Sequence, residues 1–341
     1  MPAAHCTEVA PPTPAQAERD ACLAQAAVAV VIPCYKVSAH ILEVLQAMPA
    51  GVRHVLVVDD ACPQGSGQLV QQQVRDARVQ VLFHTENQGV GAAVMSGYAR
   101  ALELGAQVVV KVDGDGQMDP ALIPRFVQPI VRGQADYTKG NRFYRPESLR
   151  SMPGVRLLGN LVLSFLTKLS SGYWPNMDPT NGYTAISAKV LRALPLQRIA
   201  RRYFFETDML FRLGTLRAVV RDVPMDAVYA QEVSNLKIRQ VLPQFLLGNL
   251  SRALKRYAYS YWVRDFNLGS LYSAMALLLL GFGLPFGIYH WQHSIATDVP
   301  ASSGTVMLAG LTVMVGVQCL IAFLHYDVSN VPTQPIADAL E

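Results

Sequence analysis

The sequence predicts an α/β protein in which a mainly parallel sheet with helices on both faces precedes an amphipathic helical region and two transmembrane helices. Two observations support this fold class. In the first third of the chain, short segments rich in valine alternate with segments of helical periodicity, which is the pattern of βα units. Further along, residues 266–289 and 304–324 lack charged side chains, and each run reaches the ~20 residues that cross a bilayer core.

The composition limits the classes of protein to which this chain could belong. Of its 341 residues, 51% are hydrophobic and 16% are charged, which is rich in apolar residues for a soluble protein. The length is that of about two domains. The net charge of +4 is small for a nucleic-acid-binding protein, and we expect no nucleic-acid partner.

The five cysteines form no C-x-x-C pair, and no histidine lies at zinc-ligand spacing from them. They therefore indicate reduced thiols rather than a disulfide framework. Residues 1–25 are rich in alanine, proline and glutamine and lack the basic start and apolar core of a signal peptide. We expect this segment to be a disordered tail.

Four strands are predicted before residue 113, and a helix follows each of the first three. The strands are residues 28–32, 55–58, 79–83 and 108–112, and the helices begin near Ser38, which can cap the first of them, Gln68 and Asn87. Right-handed crossovers then place the loops after the strands at one edge of the sheet. Ligands of open α/β sheets bind at that edge.

The fourth strand ends abruptly in the sequence Asp113-Gly114-Asp115-Gly116-Gln117. The glycines permit a sharp turn that brings both carboxylates to one point. Two carboxylates and the Gln117 amide oxygen form a hard ligand set suited to Mg²⁺ or Mn²⁺, the usual partners of a nucleoside diphosphate. The alternative is an ordinary solvated turn.

Gly89 and Gly91 precede the helix after the third strand. A dinucleotide fingerprint is disfavoured, because it belongs after the first strand and a third glycine at the required spacing is missing. Two interpretations stay open: a helix start that faces a phosphate, or one that packs closely against the sheet.

Four motifs in order carry a resemblance to a known family: IPCY at 32–35, VVDD at 57–60, NQGVGAA at 87–93 and DGDGQMDP at 113–120. They resemble the family-2 glycosyltransferases, and KGNRF at 139–143, NGY at 181–183 and FETD at 205–208 continue the series. Within that family the chain is similar to the polyprenyl-phosphate glycosyltransferases, the group of dolichyl-phosphate mannose synthase. Two departures are Lys36 in place of a common asparagine and Ala61-Cys62 in place of Gly-Ser.

The resemblance implies a GT-A fold over residues 26–235 and a role for each matched residue. Pro33, Tyr35 and Asp60 would hold the nucleoside, with Asp60 accepting a hydrogen bond from the base. Asn87 and Gly91 would also contact the nucleotide sugar. Asp113 would lie at the ribose or the metal, and Asp115 and Gln117 would bind the metal that bridges the diphosphate. The ordinary alternatives are a core role for Tyr35 and a turn role for Asp60.

The middle of the chain is expected to serve the acceptor. A helix is predicted over 118–132, and a strand over 135–138 would deliver Arg142, whose guanidinium suits a phosphate. Its alternative is a surface ion pair. Arg202 and Lys237 are assigned with Arg142 to the acceptor phosphate. Further elements are a helix over 155–169 with an apolar stripe expected to be core, with a membrane-facing surface as its alternative, a short strand within 181–187 and a helix over 207–213.

Asp208, just inside the last of these helices, is assigned to the catalytic site. In sugar-transferring relatives an acid in this region acts as general base on an acceptor hydroxyl. A phosphomonoester needs no base, because its second pKa lies near ~6 and it is largely dianionic at pH 7. Asp208 is therefore expected either to act as a base or to position the acceptor or a basic side chain.

Residues 236–265 are predicted to form amphipathic helices on an anionic membrane surface. Between Lys237 and Arg264 there are six basic residues and no acidic ones, and Pro243 is expected to kink or break the helix.

Transmembrane helices over 266–289 and 304–325 would follow, with a non-cytoplasmic linker at 290–303 and a cytoplasmic tail at 326–341. The excess of basic residues before the first span places the catalytic domain in the cytoplasm, at the inner membrane. Neighbouring copies could pack through Gly281, Gly283, Gly310 and Gly316.

These observations lead to one functional hypothesis and two alternatives. The hypothesis is inverting, Mg²⁺- or Mn²⁺-dependent transfer of a sugar from a UDP- or GDP-linked donor to undecaprenyl or dolichyl phosphate. The alternatives are transfer to a glycan hydroxyl or another lipid, and a nucleotide-binding membrane scaffold without turnover. A polysaccharide synthase is disfavoured, because the Q-x-x-R-W motif of such enzymes is missing.

Overall fold

The computed structural model describes residues 14–144, 154–226 and 238–340. Its centre is a seven-stranded sheet in the order β3-β2-β1-β4-β6-β5-β7. All neighbouring strands are parallel except that β6 runs antiparallel to β4 and β5. The strands are β1 (Val28–Cys34), β2 (His54–Asp59), β3 (Val79–Phe83), β4 (Val108–Lys111), β5 (Tyr137–Asn141), β6 (Thr184–Ser187) and β7 (Val220–Pro224).

The central strands are buried on both faces, which explains their nearly continuous apolar sequence. In β1, Val30 and Ile32 pack into the core on one face of the sheet, and Ala29 and Val31 pack into the core on the other. The four strands predicted in the first third of the chain are confirmed, with ends shifted by no more than two residues. The strand predicted at 135–138 lies two to three residues later, as β5.

Eleven α-helices surround the sheet or follow it in the described part of the chain. They are α1 (Pro14–Gln25), α2 (Ile41–Gln46), α3 (Ser66–Gln73), α4 (Val90–Glu103), α5 (Ile123–Val131), α6 (Gly154–Ser171), α7 (Ala188–Ala193), α8 (Phe205–Leu216), α9 (Ile238–Ala258), α10 (Leu268–Thr297) and α11 (Ser303–Ser329). The helix predicted over 118–132 is instead a 3₁₀ turn, Pro120–Leu122, followed by α5. The predicted cap of α2 is also wrong: His40 precedes α2, and Ser38 Oγ contacts the Gln64 side chain at 3.1 Å.

The prediction of a disordered tail over residues 1–25 is wrong for residues 14–25. These form α1, which packs on α5. Leu23 is buried in the core, and Glu18 forms an ion pair with Arg132. Alanine and glutamine favour helix, and burial of one leucine supplies the tertiary contact that a short helix needs. Residues 1–13 lie outside the described part.

The apolar stripe of α6 is exposed, so its prediction as core is wrong. The exposed fractions of Leu158 and Phe165 are 64% and 55%, and Leu161 and Val162 are exposed as well. The helix contacts α8 and α9 through its other face. The stripe is therefore an apolar surface of this chain rather than part of its interior.

Of the kink or break predicted at Pro243, the break is wrong, because helix α9 continues through this residue. Packing stabilises the helix at this point: Phe245 contacts the Phe204 ring, and Ser170 donates a 2.7 Å hydrogen bond to Asn249. A six-residue π-helix, Tyr259–Arg264, extends α9. The basic face predicted here is partly turned inward, because Arg252 pairs with Asp208 and Arg256 pairs with Asp327.

Helices α10 and α11 form a hairpin, and both are long and apolar enough to span a membrane. The end of α10 and both ends of α11 extend beyond the predicted spans, so the loop between the two helices comprises only residues 298–302 instead of 290–303. Gly283 and Gly316 lie where the two helices touch: a Cβ atom would come within 3.0 Å of Thr312 and within 2.8 Å of Leu280. Gly281 and Gly310 have open space beside them. Of the four glycines predicted to pack between copies, only Gly281 and Gly310 are accessible to another copy.

The segment after α11 returns to the sheet. Val331 and Ile336 pack against the core on one face. The buried carboxylate of Asp136, next to β5, accepts hydrogen bonds from the backbone N–H groups of Val219 (2.7 Å), Ile336 (3.0 Å) and Ala337 (2.9 Å). The segment that follows the hairpin is thus fastened to the sheet.

We expect Asp136→Asn to lower the free energy of unfolding by about 1.5–3 kcal/mol, because an amide cannot accept all three charge-assisted hydrogen bonds. Urea unfolding of the detergent-solubilised full chain measures this difference. Asp338→Asn is the control, since the Asp338 side chain is 92% exposed. Equal stability of the Asp136 and Asp338 variants would contradict this role.

Candidate active site

A cavity of about 150 Å³ opens at the edge of the sheet where β4 ends. It brings together four residues that the sequence assigns to the site, Asp113, Asp115, Gln117 and Arg142. The first three follow β4, and Arg142 follows β5, which points the same way. The rest of the lining comes from Met118, Thr180, Asn181, Gly182, Met225 and Asp226.

Lys111, the last residue of β4, is a buried ammonium group held between two carboxylates. Its Nζ lies 2.8 Å from Asp113 Oδ1 and 3.6 Å from Glu206 Oε1. Burial disfavours the charged ammonium, but the two carboxylates outweigh this effect and raise the Lys111 pKa. Gly182 is required here, because a Cβ atom would lie 2.3 Å from Lys111 Nζ.

Glu206 begins α8 and points toward this group. Burial raises the pKa of Glu206 to about 7, although the nearby Lys111 ammonium acts in the opposite direction. A buried carboxyl group with a raised pKa, 3.6 Å from Lys111 Nζ, makes Glu206 the candidate acid or base near the cavity.

The ligand set around Asp113 fits a hard divalent cation. Asp113 is partly exposed, and the Gln117 backbone N–H donates to Asp115 Oδ1 at 3.0 Å, which fixes the turn. Among the described residues, no group of three or more Asp, Glu, His or Cys side chains could hold a metal. Two carboxylates and an amide would leave coordination positions of the cation for water and phosphate oxygens. Mg²⁺ in proteins commonly has such a mixed set of ligands. With Asp226 also in its lining, the cavity is acidic and would repel a diphosphate without a cation.

Arg142 is oriented by a buried partner. Its Nε and Nη2 lie 2.7 Å from the two carboxylate oxygens of Asp178, which is fully buried. Burial alone would raise the pKa of Asp178, but the Arg142 guanidinium outweighs it and holds that pKa below its usual value. Arg142 therefore forms an ion pair, as its alternative interpretation expected, but the partner is buried. The Arg142 side chain remains partly exposed and lines the cavity.

Tyr35 lies at the end of β1 and is 42% exposed, so its alternative as a core residue is wrong. Pro33, two residues earlier, is part of β1 itself. The two departures from the family motifs meet here: the Lys36 backbone N–H donates to Cys62 Sγ at 3.1 Å. Lys36 and Ala61 both adopt left-handed backbone conformations (φ 58° and 51°). This contact holds the loop that presents the Tyr35 ring.

Asp60 contacts other parts of this chain, and its predicted contact with a base stays a prediction. Its carboxylate is almost fully buried and accepts backbone hydrogen bonds from Gln88 (2.9 Å) and Gly89 (2.8 Å), with His84 Nδ1 at 2.8 Å. Asn87 donates to the Asp60 carbonyl at 3.2 Å. Asp60 and Asn87 therefore hold two loops together.

The start of α4 packs closely against another segment of this chain, and the assignment of Gly91 to the nucleotide sugar stays a prediction. A Cβ atom at Gly91 would lie 2.4 Å from the Ala200 carbonyl oxygen. The Ala92 backbone N–H donates to the Arg201 carbonyl at 3.0 Å. Of the two interpretations of Gly89 and Gly91, the structure therefore supports close packing, here against the segment that leads into α8.

Asp208 does not line the cavity, and its assignment as a catalytic base stays a prediction that this geometry does not support. It is fully buried and accepts hydrogen bonds from the Ala200 backbone (2.9 Å), Arg212 Nε (3.2 Å) and Arg252 Nε (2.9 Å). Of its expected roles, holding a basic side chain is the one the structure supports. Arg202 is exposed beside Gly89 and does not line the cavity. Lys237 lies outside the described residues.

The sequence prediction missed Lys111 and Asp178 and chose Asp208 over Glu206. A lysine within a buried strand is a usable signal, because a buried ammonium requires an acidic partner. Asp178 gives no such signal, since it lies in a polar loop far from Arg142 in the sequence.

Comparisons with known proteins identify the family of this chain. The family described as Glycosyl transferase family 2 matches residues 29–194. The undecaprenyl-phosphate mannosyltransferase of Micrococcus luteus is 34% identical over 51% of this chain and 71% of its own length. The UDP-N-acetylglucosamine–dolichyl-phosphate N-acetylglucosaminyltransferase of Methanococcus voltae is 34% identical over 45% of this chain and 61% of its own length, so the match spans about three fifths of that relative.

Solved structures support the fold. Glucosyl-3-phosphoglycerate synthase from Mycobacterium tuberculosis, in complex with Mn²⁺, UDP and glucosyl-3-phosphoglycerate, superimposes with a TM-score of 0.54 at 21% identity. The superposition covers 72% of this chain and 86% of that one, which confirms the GT-A-like mixed sheet. With the family match, the M. luteus relative and this fold together, the chain belongs to glycosyl transferase family 2.

Proposed function

We propose that this protein transfers a sugar from a nucleotide sugar to a polyprenyl phosphate at the cytoplasmic face of a membrane, with inversion at the sugar. The observation that carries the proposal is that one helix, α8, is joined by ion pairs both to Lys111, whose partner Asp113 lines the acidic cavity, and to the helix that leads to the membrane hairpin. Its Glu206 lies beside Lys111, and its Asp208, two residues later, holds Arg252 of α9.

The donor would bind where the carboxyl ends of β1 and β4 meet. Tyr35 offers an exposed ring for the nucleoside, and Asp113, Asp115 and Gln117 would hold Mg²⁺ or Mn²⁺ against the diphosphate. A bound cation of this kind would neutralise the charge that grows on the leaving nucleotide. The M. tuberculosis neighbour was solved with Mn²⁺ and UDP, which by analogy of fold supports a divalent cation and a nucleotide as ligands.

The acceptor would be a phosphate oxygen. It attacks the anomeric carbon as the bond to the nucleotide breaks, the nucleoside diphosphate leaves with the bonding electrons, and no proton has to be removed from a dianionic phosphomonoester. Arg142, held in orientation by Asp178, supplies positive charge at the cavity. The M. luteus relative is an undecaprenyl-phosphate mannosyltransferase, and the M. voltae relative is a dolichyl-phosphate N-acetylglucosaminyltransferase. Both names support a lipid phosphate as the acceptor class.

The apolar surfaces support a lipid substrate. The exposed stripe of α6, with Leu158 and Phe165, is joined by exposed leucines of α9, including Leu247 and Leu254. Two packed helices with exposed apolar faces suit the interface of a membrane, where a lipid phosphate lies. This surface would bring the acceptor to the cytoplasmic domain without removing its tail from the bilayer.

The membrane orientation follows from charge and from the return of the C-terminal segment. Because that segment packs against the catalytic domain, both ends of the hairpin lie on the same side of the membrane. Arginines and Lys255 cluster before α10, whereas the linker between the spans has no lysine or arginine. The positive-inside rule then places the catalytic domain in the cytoplasm.

Glu206 favours one alternative, transfer to a hydroxyl. A hydroxyl acceptor requires a general base, and a carboxyl group with a pKa near 7 beside the cavity suits that task. The same group also balances the charge of Lys111, which is all that a phosphate acceptor would require of it.

We expect Asp115→Asn to reduce sugar transfer by at least ~100-fold, because loss of one carboxylate weakens the cation site that neutralises the leaving diphosphate. The assay supplies membranes with undecaprenyl phosphate, Mn²⁺ or Mg²⁺, and labelled UDP-glucose, UDP-galactose, UDP-GlcNAc or GDP-mannose, and counts label in the organic phase. Asp119→Asn is the control from the same loop, since Asp119 is exposed and only caps a 3₁₀ turn.

Label from one donor, chelator-sensitive and lost in the Asp115 variant alone, is the expected result. Metal-dependent donor hydrolysis without lipid label would keep the transferase and reject the lipid acceptor. No transfer and no hydrolysis from the folded protein would favour the non-catalytic scaffold.

Glu206→Gln separates the two acceptor classes. With a phosphate acceptor we expect the transfer rate to stay within about tenfold of wild type, because no base is needed. A hydroxyl acceptor would instead make the rate fall by roughly 10²–10⁴, the usual contribution of a general base. Initial rates at saturating donor measure the difference, and a loss in that range would contradict the phosphate acceptor.

A further inference from the structure

We propose that a second phosphate-binding site lies where the catalytic domain meets the membrane hairpin. We call it the arginine cavity, after Arg217, Arg256 and Arg264 in its lining. It measures about 40 Å³ and shares no lining residue with the catalytic cavity. The proposal rests on the membrane placement of the hairpin given under Proposed function, and it is independent of the transfer reaction.

The charges around the arginine cavity favour an anion. Its lining holds three arginines against two aspartates, Asp265 and Asp327, which leaves one positive charge. Arg256 is matched by Asp327, with two contacts of 2.8 Å. Asp265 lies 3.8 Å from Arg264 and is more than half exposed, so it neutralises Arg264 weakly. The excess charge therefore belongs to Arg217 and Arg264.

These two arginines also retain hydrogen-bonding capacity. Among the described residues, Arg217 donates through Nη2 to Asn330, and Arg264 donates through Nη1 to the Thr215 carbonyl. A guanidinium group carries five N–H donors in a planar fork that matches phosphate oxygens. Two such forks in the lining of one cavity provide donors for several oxygens of a single phosphate group.

The backbone at Arg217 is a separate sign that the side chain matters. Arg217 ends α8 in the left-handed region (φ 60°), a position that glycine usually occupies. Here an arginine takes this conformation, and its side chain forms part of the cavity lining.

The position of the cavity matches the level of lipid headgroups. Asn267, which caps the start of α10, lines it, as do Asp327 and Asn330 at the end of α11. The exposed rings of Trp262 and Phe266 flank Arg264 in the sequence, and aromatic side chains mark the membrane interface.

A volume of 40 Å³ has room for about three water molecules, which is the scale of the oxygens of one phosphate group. A headgroup phosphate bound there would contact α8, the helix that carries Glu206, and the π-helix that leads into α10. It would fasten the catalytic domain to the leaflet at a fixed height.

The test measures binding to the full chain in a neutral maltoside detergent. The probes are inorganic phosphate, dihexanoyl phosphatidylglycerol and, as the phosphate-free match, dihexanoylglycerol, with ionic strength held constant by chloride. Thermal unfolding gives an apparent affinity for each probe. We expect phosphatidylglycerol to raise the Tm and Arg217→Gln/Arg264→Gln to weaken this affinity by about tenfold or more. Arg192→Gln, on the exposed face of α7, is the matched control.

The probes distinguish the two sources of phosphate. An effect of phosphatidylglycerol that exceeds that of inorganic phosphate assigns the site to a lipid headgroup, and equal effects assign it to a soluble phosphate. A Tm increase of the same size with dihexanoylglycerol, or an unchanged affinity in the double variant, would overturn the proposal.

Hydrogen exchange on the wild-type chain keeps the test decisive if the double variant fails to fold. The phosphate-containing probe should slow exchange in residues 259–268 and 326–332, and no change there would overturn the proposal. The same measurement on Asp115→Asn separates this site from the catalytic cavity. Protection that persists in that variant supports the arginine cavity even if sugar transfer is never observed.

Discussion

The ion pair network of Lys111 is the interaction on which the rest of the site depends. A fully buried ammonium group at the end of the central strand requires negative partners, and it has Asp113 on one side and Glu206 on the other. The same three residues therefore join the sheet, the loop of the cation site and the start of α8. Removing both partners would leave an uncompensated buried charge, and the closer of the two is Asp113 at 2.8 Å.

Helix α8 extends this arrangement to the membrane. Asp208 holds Arg252 of α9, Arg256 of α9 holds Asp327 of α11, and Trp174 donates to the same Asp327 carboxylate at 2.9 Å. The C-terminal segment adds a further attachment through Asp136. A water-soluble nucleotide sugar and a lipid phosphate occupy different phases, and a connected set of buried ion pairs gives one cavity a defined position relative to both.

Much of the architecture was predictable because its signals are local. Strands β1 to β4 follow from valine-rich runs, the carboxylates that line the cavity from an acidic, glycine-rich turn of five residues, and the hairpin from two uncharged segments. The contacts that the sequence did not reveal share a cause, since Asp60, Gly91 and Asp208 are held by partners distant in sequence. Glu206 and Asp208 illustrate this: residues two apart on a helix do not share a face, and only the packing of α8 decides which one points toward Lys111. The exposed stripe of α6 was misjudged because periodicity reveals an apolar face without showing what covers it.

The most direct test of the central claim, that the cavity serves transfer to a lipid phosphate, is a comparison of two acceptors that differ only in the phosphate. The full chain in membranes would receive its active labelled donor with either undecaprenyl phosphate or undecaprenol, and initial rates of label entering the organic phase would be compared. We predict label with the phosphate and none above background with the alcohol. Equal labelling of the alcohol, or labelling of the alcohol alone, would contradict the proposed acceptor and assign Glu206 the role of general base.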